Sequence, residues 1–390
     1  MKRVLLTFAL LAVALGAAQL PAADVAPPPR KITDRDQFFR KLRVHDLSIT
    51  VDKKQLDALN KDPRKYVKCA LKEGDTEFSD VGIHLKGAAG SWRDFNDKPG
   101  LTLNMDKFVD DQLYNGLDKW HLANSVQDPS YLSELICGEI MMAAGVPAAR
   151  VSFATLTLNG RKRGLYYIKE GYDKQFLKAH FGNANGNFYD GGFLRDIDQP
   201  LQLISTGKDV ADRADLKALL AAVREPNEAK RFEKLEKLLD LDKFISYMIV
   251  EMITSDWDGY PSKCNNYRIY HDPKTDKLTF IPSGMDQMFG DTNWPITPGW
   301  GGSVAAAVMN TKEGKKRYLA RLQVIMRDVY KPGELVARLD ELEAVVQPAL
   351  AGVDPGAGRG YRGQVDRLRN AIKERARNIN EQIKRLPPEK

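Results

Sequence analysis

Ser255-Asp-Trp-Asp-Gly-Tyr260 and, downstream, Phe280-Ile-Pro-Ser-Gly-Met-Asp286 are the most informative stretches of this sequence. Paired amides and a strand-like run, Asn265-Asn-Tyr-Arg-Ile-Tyr270, lie between them. Two acidic clusters with an amide can supply a base, an amide ligand and a metal-binding carboxylate. Phosphoryl transfer needs that set, because it depends on positioning and on neutralising charge with lysine and a divalent metal.

Both acidic clusters follow regular elements. Asp256 and Asp258 come directly after a helical pattern, Leu241–Thr254, and Asp286 follows an apolar strand, Leu278–Ile281. Loops at the ends of rigid elements often carry chemistry. An isolated acidic pair is more typical of a solvated turn, so the interpretation depends on the combination with the amides and Asp286.

The first 23 residues have the charged, apolar and small-residue regions of a secretory signal peptide. The alternative is a membrane anchor, but the apolar run is shorter than the roughly 20 residues that a spanning helix needs. A Pro-rich linker is predicted over residues 24–35. We therefore expect an exported protein, periplasmic, cell-surface or extracellular, with no membrane span after cleavage.

Composition and motifs narrow the functional classes to which the protein can belong. The chain has 390 residues, 43% hydrophobic and 28% charged, with a formal net charge of +7. The basic residues form no long run, which argues against nucleic acid as a partner, while an anionic substrate stays permissible. The three cysteines show no zinc spacing, and HExxH, GxSxG and Walker A motifs are absent. We expect a monomer.

Hydrophobic periodicity predicts two lobes. Residues 36–170 are predicted to form a sheet-rich lobe, with a helix beginning at Asp128 and Pro129 and a hairpin turning at Asn159-Gly160. Residues 171–390 are predicted to form a mainly helical lobe. Predicted helices there are Ala214–Val223, Glu228–Leu239, Leu241–Thr254 and, near the C-terminus, 312–330, 333–350 and 361–385.

Two lysines are candidates for binding phosphate. Lys86 ends an alternating strand, and Lys98 precedes Pro99 and the next strand. Between the two strands runs a loop, Gly87–Gly100, whose glycines and donors suit it to cover phosphates. Spacing alone leaves either lysine open to being a surface charge.

Taken together, these stretches resemble the CotH kinases, a family of atypical protein kinases similar to spore coat protein H. The resemblance runs from about Val81 to Phe289, with a weaker helical match beyond. It rests on the order and spacing of Val81–Gly87, Asp97–Leu103, Asn124–Ser130, Gly145–Pro147, Leu158–Gly160, Gly164–Glu170, Asp256–Asp258, Asn266–Tyr270 and Phe280–Asp286.

The resemblance implies an α+β, atypical protein-kinase-like two-lobed fold, with an N-terminal antiparallel sheet lobe and a C-terminal mainly helical lobe. It implies transfer of phosphate from ATP, with Mg or Mn, to Ser or Thr of an unknown protein acceptor. By position, Asp258 would be the catalytic aspartate. The metal ligands would be Asp286 and Asn266, and the nucleotide-site residues would be Lys98, with Lys86 second, and Glu170.

One departure from the family pattern leaves an alternative open. Members of this family usually carry an acid where Gly284 stands, so the chain could be a weak kinase or a pseudokinase that serves as a surface or envelope binding protein. Asp291 is a possible replacement for that acid. A third reading, a carbohydrate-binding or adhesive module, would use exposed tryptophans as sugar platforms: Trp92, Trp257, Trp294 and Trp300.

Overall fold

The structure, a computed structural model, describes residues 33–204 and 212–386. The predicted signal peptide and all but the last residues of the predicted linker lie outside these ranges. Among the described helices, none is long and apolar enough to span a membrane.

The N-terminal lobe is a closed barrel. In the described residues, its strands are β1 Val44–Thr50, β2 Val67–Glu73, β3 Thr76–Lys86, β4 Gly100–Asn104, β5 Lys119–Ala123, β6 Val151–Leu158 and β7 Arg161–Glu170. The order around the barrel is β1-β2-β3-β4-β5-β7-β6. Neighbours pair antiparallel, except that β1 and β6 pair parallel and so close the barrel.

Strand alternation fills the barrel with apolar side chains. Leu101, Leu103 and Leu122 are buried inside, as are Ile83 and Ile168. Because successive side chains in a strand point to opposite faces, the intervening residues lie on the outside of the barrel. Helices α1 Asp34–Arg40 and α2 Lys53–Lys61 accompany this lobe, and neither was predicted.

The predicted hairpin between β6 and β7 is confirmed. Asn159 and Gly160 have φ angles of 47° and 76°, as a type I′ turn requires. The Asn159 amide also bonds the backbone of Val51, which fastens the turn to the end of β1.

The helix predicted to begin at Asp128 and Pro129 starts later, so that prediction was wrong. Helix α3 covers Ser133–Ala143. Tyr131 has a φ of 61°, a left-handed conformation that interrupts a right-handed helix. The Asp128 carboxylate instead accepts hydrogen bonds from the backbone N–H groups of Ser130 and Ser133, each at 2.9 Å.

The C-terminal lobe combines helices with a small sheet, so the two-lobed α+β fold is confirmed. The sheet strands, in the order β11-β10-β8-β9, are β8 Asn187–Asp190, β9 Gln202–Leu203, β10 Tyr267–Asp272 and β11 Lys277–Pro282. The helices described are α4 Lys174–Phe181, α5 Ala214–Val223, α6 Glu228–Leu238, α7 Leu241–Ile253, α8 Tyr260–Lys263, α9 Ser303–Met309, α10 Lys312–Asp328, α11 Pro332–Val353 and α12 Pro355–Lys384.

A single large core joins the lobes. Side chains of α7, such as Phe244 and Met248, pack in one cluster with Ile136 and Ile140 of α3. Helix α11 packs against β6 and β7 of the barrel. The loops after α7 and after β11 are therefore held on a rigid support that spans both lobes.

Candidate active site

The loop after α7 presents Asp258 at the start of the small sheet. Its carboxylate Oδ2 accepts hydrogen bonds from Nδ2 of Asn265, at 2.8 Å, and of Asn266, at 3.0 Å. Asp258 and Asn266 are half-buried. The structure thus brings together two of the residues singled out from the sequence, because the amide pair lies directly before β10.

Asp286 joins this site through the pairing of β10 with β11. Tyr267 lies opposite Pro282 in the register, and the Ser283 N–H donates to the Asn266 carbonyl at 2.8 Å. Burial raises the pKa of Asp286 to about 6, with a further contribution from Glu134. A half-buried carboxyl with a perturbed pKa at a strand end is typical of a functional site.

A buried ion pair that sequence reasoning missed faces these acids. Lys169 of β7 donates through Nζ to Oε1 of Glu134 on α3, and the two residues are 5% and 1% exposed. Burial alone lowers the pKa of Lys169, but Glu134 outweighs it and raises that pKa. The other oxygen of Glu134 accepts the Met285 N–H at 2.9 Å, so the pair is linked to the residue before Asp286.

A polar row on the outer face of the barrel leads to this pair. Register places His84 beside Thr102, Thr102 beside His121, and His121 beside Lys169. Thr102 Oγ1 lies 3.0 Å from His121 Nδ1. Burial lowers the pKa of His121 well below its usual value, and the neighbouring cations, beginning with Lys86, lower it further. The imidazole is therefore neutral at neutral pH.

Lys86 lies on the same face, two residues beyond His84. The pKa of Lys86 is lowered to about 8, first by burial and then by Lys169, while the charges of Glu134 and Asp286 act in the opposite direction. Lys86 therefore belongs to the electrostatic surroundings of Asp286. Two like-charged amines near one another suit an anion such as phosphate.

Lys98 has different surroundings. Its Nζ donates to the Tyr131 hydroxyl at 2.8 Å and lies 4.9 Å from the centre of that ring and 5.3 Å from that of Tyr166. Its acidic neighbours are Asp354 and Asp97. The structure brings Lys86, not Lys98, to the neighbourhood of Asp286.

Glu170 also faces away from the cluster. It is fully buried and pairs with Arg35 and with Arg150 Nη2, the latter at 2.6 Å. Because neighbouring residues of a strand point to opposite faces, Glu170 and Lys169 point in opposite directions. At the end of β7 the sequence analysis selected Glu170, whereas the side chain that lies near Asp286 is that of the preceding residue, Lys169.

The backbone around these acids is unusual. Ser255, Asn266 and Phe289 have φ angles of 59°, 52° and 61°, and Gly284 has one of 75°. A Cβ added at Gly284 would lie 2.9 Å from Oδ1 of Asn266. The glycine at position 284 therefore leaves room for the Asn266 side chain. Strained residues of this kind cluster at functional sites.

Two further acids lie beneath the loop. Asp256 is 2% exposed, and its Oδ1 accepts the Asp258 N–H at 3.0 Å. Burial raises the pKa of Asp256 to about 7, with further contributions from Asp258 and Asp286. Glu251 is 1% exposed, and its carboxylate oxygens have no hydrogen-bond partner among the described residues. Carboxyl groups are thus crowded together here, and burial favours their neutral forms.

This donor set fits a divalent cation only when phosphate completes the coordination. No group of three or more His, Cys, Asp or Glu side chains in residues 33–204 and 212–386 is arranged to hold a metal. Mg²⁺, however, usually takes one or two carboxylates together with water and substrate phosphates. Burial is the main reason that the pKa values of Asp256 and Asp286 are raised, and a bound cation would favour the charged forms of both carboxyls.

Two of the four candidate tryptophans, Trp92 and Trp257, have a cation over one ring face. Trp92 and Trp257 are each 37% exposed, and Arg64 and Lys263 lie over their rings at 4.9 and 4.6 Å. A cation over one face reduces the ring surface that a sugar would stack on.

Comparison with known families gives one match that covers most of the chain. Residues 83–379 match the family described as CotH kinase protein. The match includes Lys86, the Glu134–Lys169 pair and the loops that carry Asp258 and Asp286.

Individual relatives match only part of the chain, at low sequence identity. Inner spore coat protein H of Bacillus subtilis is 24% identical over 263 residues, which cover 64% of this chain and 68% of that protein. Invasin CotH3 of Rhizopus delemar is 27% identical over 187 residues, which cover 43% of this chain and 31% of the invasin. The chain therefore aligns with less than a third of the invasin.

Two solved structures have a similar chain course. The first is the proinflammatory kinase CtkA of Helicobacter pylori, with 8% identity and a TM-score of 0.34; the match covers 76% of this chain and 97% of that chain. The second is HipA in a Shewanella oneidensis toxin–antitoxin complex with its operator DNA, with 11% identity and a TM-score of 0.37; the match covers 94% of this chain and 77% of that chain. Both TM-scores are below 0.5, so the family assignment depends on the sequence match.

Proposed function

This chain belongs to the CotH kinase protein family, and from that premise we propose that it is an exported kinase that transfers the γ-phosphate of ATP to Ser or Thr of a surface or envelope protein. The observation that supports the proposal best is the meeting of Asp258, Asn266 and Asp286 at the β10–β11 hairpin, beside the buried pair of Lys169 and Glu134.

Each residue has a role that its surroundings suit. Both amides donate to Oδ2 of Asp258, so Oδ1 is the oxygen that receives the acceptor hydroxyl. Lys169 is fixed by Glu134 and, with Lys86, offsets the negative charge of the phosphates. Asp286 and Asn266 would hold the Mg or Mn ion, which neutralises charge that develops on the phosphate oxygens.

The transfer balances without another reactant. The acceptor oxygen forms a bond to the γ-phosphorus, the bond from phosphorus to the bridging oxygen breaks, and ADP leaves. The hydroxyl proton moves toward Asp258. A positioned carboxylate base of this kind contributes about 10²–10⁴-fold to the rate.

A catalytically silent binding protein of the same fold is the second candidate, and the observation that favours it is Gly284. A side chain there would collide with Asn266, so the acid of the family pattern has no room in this conformation. The two candidates differ in whether ATP and a divalent metal bind.

Thermal unfolding with and without ATP and Mg or Mn tests the proposal. At about a hundredfold above the dissociation constant, ATP should stabilise the parent by about 2.7 kcal/mol. Asp286→Ala should lose that gain because the cation loses its carboxylate, whereas Asp75→Ala, an exposed residue in the turn before β3, should keep it.

Asp258→Ala separates binding from transfer. That variant should still be stabilised by ATP and metal but should lose transfer to protein acceptors by about 10²–10⁴-fold. Absence of any stabilisation of the parent, in either metal, would overturn the kinase proposal and favour the binding protein.

A further inference from the structure

A groove of about 430 Å³ opens beside the candidate active site. Asp286 and Trp257, the neighbour of Asp258, line one side of it, and helix α12 lines the other. Gln127, at its rim, reaches toward Gly90 in the loop between β3 and β4. The groove therefore lies where the catalytic loop, the Asp286 loop and the glycine-containing loop approach one another.

The α12 wall contributes one cationic side chain to the groove, that of Arg367. Gln364, Arg367, Leu368 and Ala371 face the groove, at the spacing of one helix face. Over its length, Pro355–Lys384, the helix carries eight Lys or Arg residues and three Asp or Glu residues. Much of the formal net charge of the chain is therefore concentrated in this helix.

Arg367 differs from the other arginine nearby. Arg369, two residues on, forms ion pairs with Asp340, Glu343 and Asp366. Arg367 is exposed, bonds the neutral amide of Gln364, and has no ion pair with any described carboxylate. Its guanidinium is therefore available to a ligand, and guanidinium groups bind carboxylates with two parallel hydrogen bonds.

We propose that this groove binds the acceptor segment and that Arg367 selects acceptors with an acidic residue close to the phosphorylated Ser or Thr. The inference rests on the proposed kinase function. Trp257 supplies an apolar contact beside the acceptor, and the glutamines of the groove supply hydrogen bonds to its backbone.

The lining favours an acidic segment over a basic one. Asp128, which lines the groove together with Asp286, is buried and accepts hydrogen bonds from Ser130 and Ser133, and burial raises its pKa, which favours the uncharged form. Asp286 is the proposed metal ligand. The unpaired charge that remains on the wall is that of Arg367, so a lysine-rich segment would meet a like charge.

Fluorescence anisotropy with two short labelled peptides tests the inference. Each peptide has a central serine, flanked in one by Asp and Glu and in the other by Lys. The acidic peptide should bind about five- to tenfold more tightly than the basic one, in a salt-dependent manner. Arg367→Glu should abolish that preference, and Arg367→Gln should reduce it.

Arg377→Glu is the matched control, because Arg377 is an exposed arginine on the same helix outside the groove. It should leave the preference unchanged, and urea unfolding checks that all the variants are folded. Equal binding of the two peptides by the parent, or an unchanged preference in Arg367→Glu, would overturn the inference.

The stabilisation by ATP and metal keeps the two proposals separate. If ATP stabilises the parent but the acidic peptide has no advantage, the groove inference alone fails. If the acidic peptide binds through Arg367 but ATP has no effect, the kinase proposal fails and the groove is a binding site for acidic segments.

Discussion

Two buried glutamates, one in each lobe, have opposite surroundings. Glu170, at the end of β7, is bonded to Arg35 and Arg150. Glu251, in the last turn of α7, lies beside Tyr247, but its carboxylate oxygens have no hydrogen bond of good geometry with any described residue. Both side chains are almost completely removed from solvent.

Their pKa values consequently shift in opposite directions. Burial alone would raise the pKa of Glu170, but Arg35 and Arg150 together outweigh burial and lower it. For Glu251, burial raises the pKa well above its usual value, and Asp256 and Asp258 add to the increase. Glu170 at the end of β7 is thus a paired charge, whereas Glu251 is an acid without a cation beside it, in the helix that precedes Asp258.

The comparison shows where this fold contains a buried acid that lacks a cationic partner. A buried charge without a partner is unfavourable, and functional sites are where such groups are tolerated. Gly259 shows how closely the acids are packed: a Cβ there would lie 1.9 Å from Glu251 Oε2 and 2.9 Å from Asp256 Oδ2. Glycine is therefore required beside Asp258.

Glu170→Gln should give the largest change in stability. It would leave buried Arg35 and half-buried Arg150 without their shared carboxylate, although Asp36 still pairs with Arg150. Breaking such a pair costs about 3 kcal/mol or more, measured by urea unfolding near neutral pH. Because the pKa of Glu170 is lowered, its contribution is present above the usual value of 4.5 and is lost as pH falls through the folded-state pKa.

Glu77→Gln, an exposed change in β3 of the same lobe, is the control and should alter stability by less than about 0.5 kcal/mol. Equal effects of the two substitutions would break the comparison, since Glu170 would then not be a structural charge.

Local sequence signals predicted much of the fold. The Asn159-Gly160 turn and helix α5 at Ala214–Val223 have the predicted positions, and the predicted strand Leu278–Ile281 lies within β11. Each depends on a short-range pattern: a turn dipeptide, a helical period, or a short apolar run. The small helices α1 and α2 were missed although each begins at a capping residue, Thr33 or Asp52, because both are short and lie among strand-like segments.

The site was predictable only where its residues are close in sequence. Asp258 and Asn266 are joined by α8 and the start of β10, so their meeting follows from local chain geometry. The Lys169–Glu134 pair depends on how α3 docks against β7, which no local pattern records. Likewise, the choice between Lys86 and Lys98 depends on which of them faces the helical lobe.

Gly284→Asp would restore the acid of the family pattern, and we expect it to harm the site. A non-glycine residue at φ 75° costs about 1–2 kcal/mol, and the new side chain would push Asn266 away from Asp258. Urea unfolding should show this loss, and stabilisation by ATP and metal should not increase.

Gly290→Asp is the matched control. It lies in the same loop and has no atom within 4 Å of an added Cβ, so we expect a change of less than about 0.5 kcal/mol. Stronger stabilisation by ATP in Gly284→Asp would instead mean that the glycine impairs a kinase site, and that the unpaired acids around it lack a needed metal ligand.

Glu251→Gln should have the smallest effect, and its sign should depend on pH. Since the pKa of Glu251 is raised above the usual 4.5, its stabilising contribution is present below that pH and is lost as pH rises toward the folded-state pKa. Glutamine does not titrate. The variant should therefore be within about 1 kcal/mol of the parent near pH 5 and should gain relative to the parent as pH rises toward about 8. Urea unfolding across that range measures the difference.

A variant that instead lost stability relative to the parent as pH rose would show that Glu251 is a paired carboxylate like Glu170, and the contrast between the two lobes would disappear.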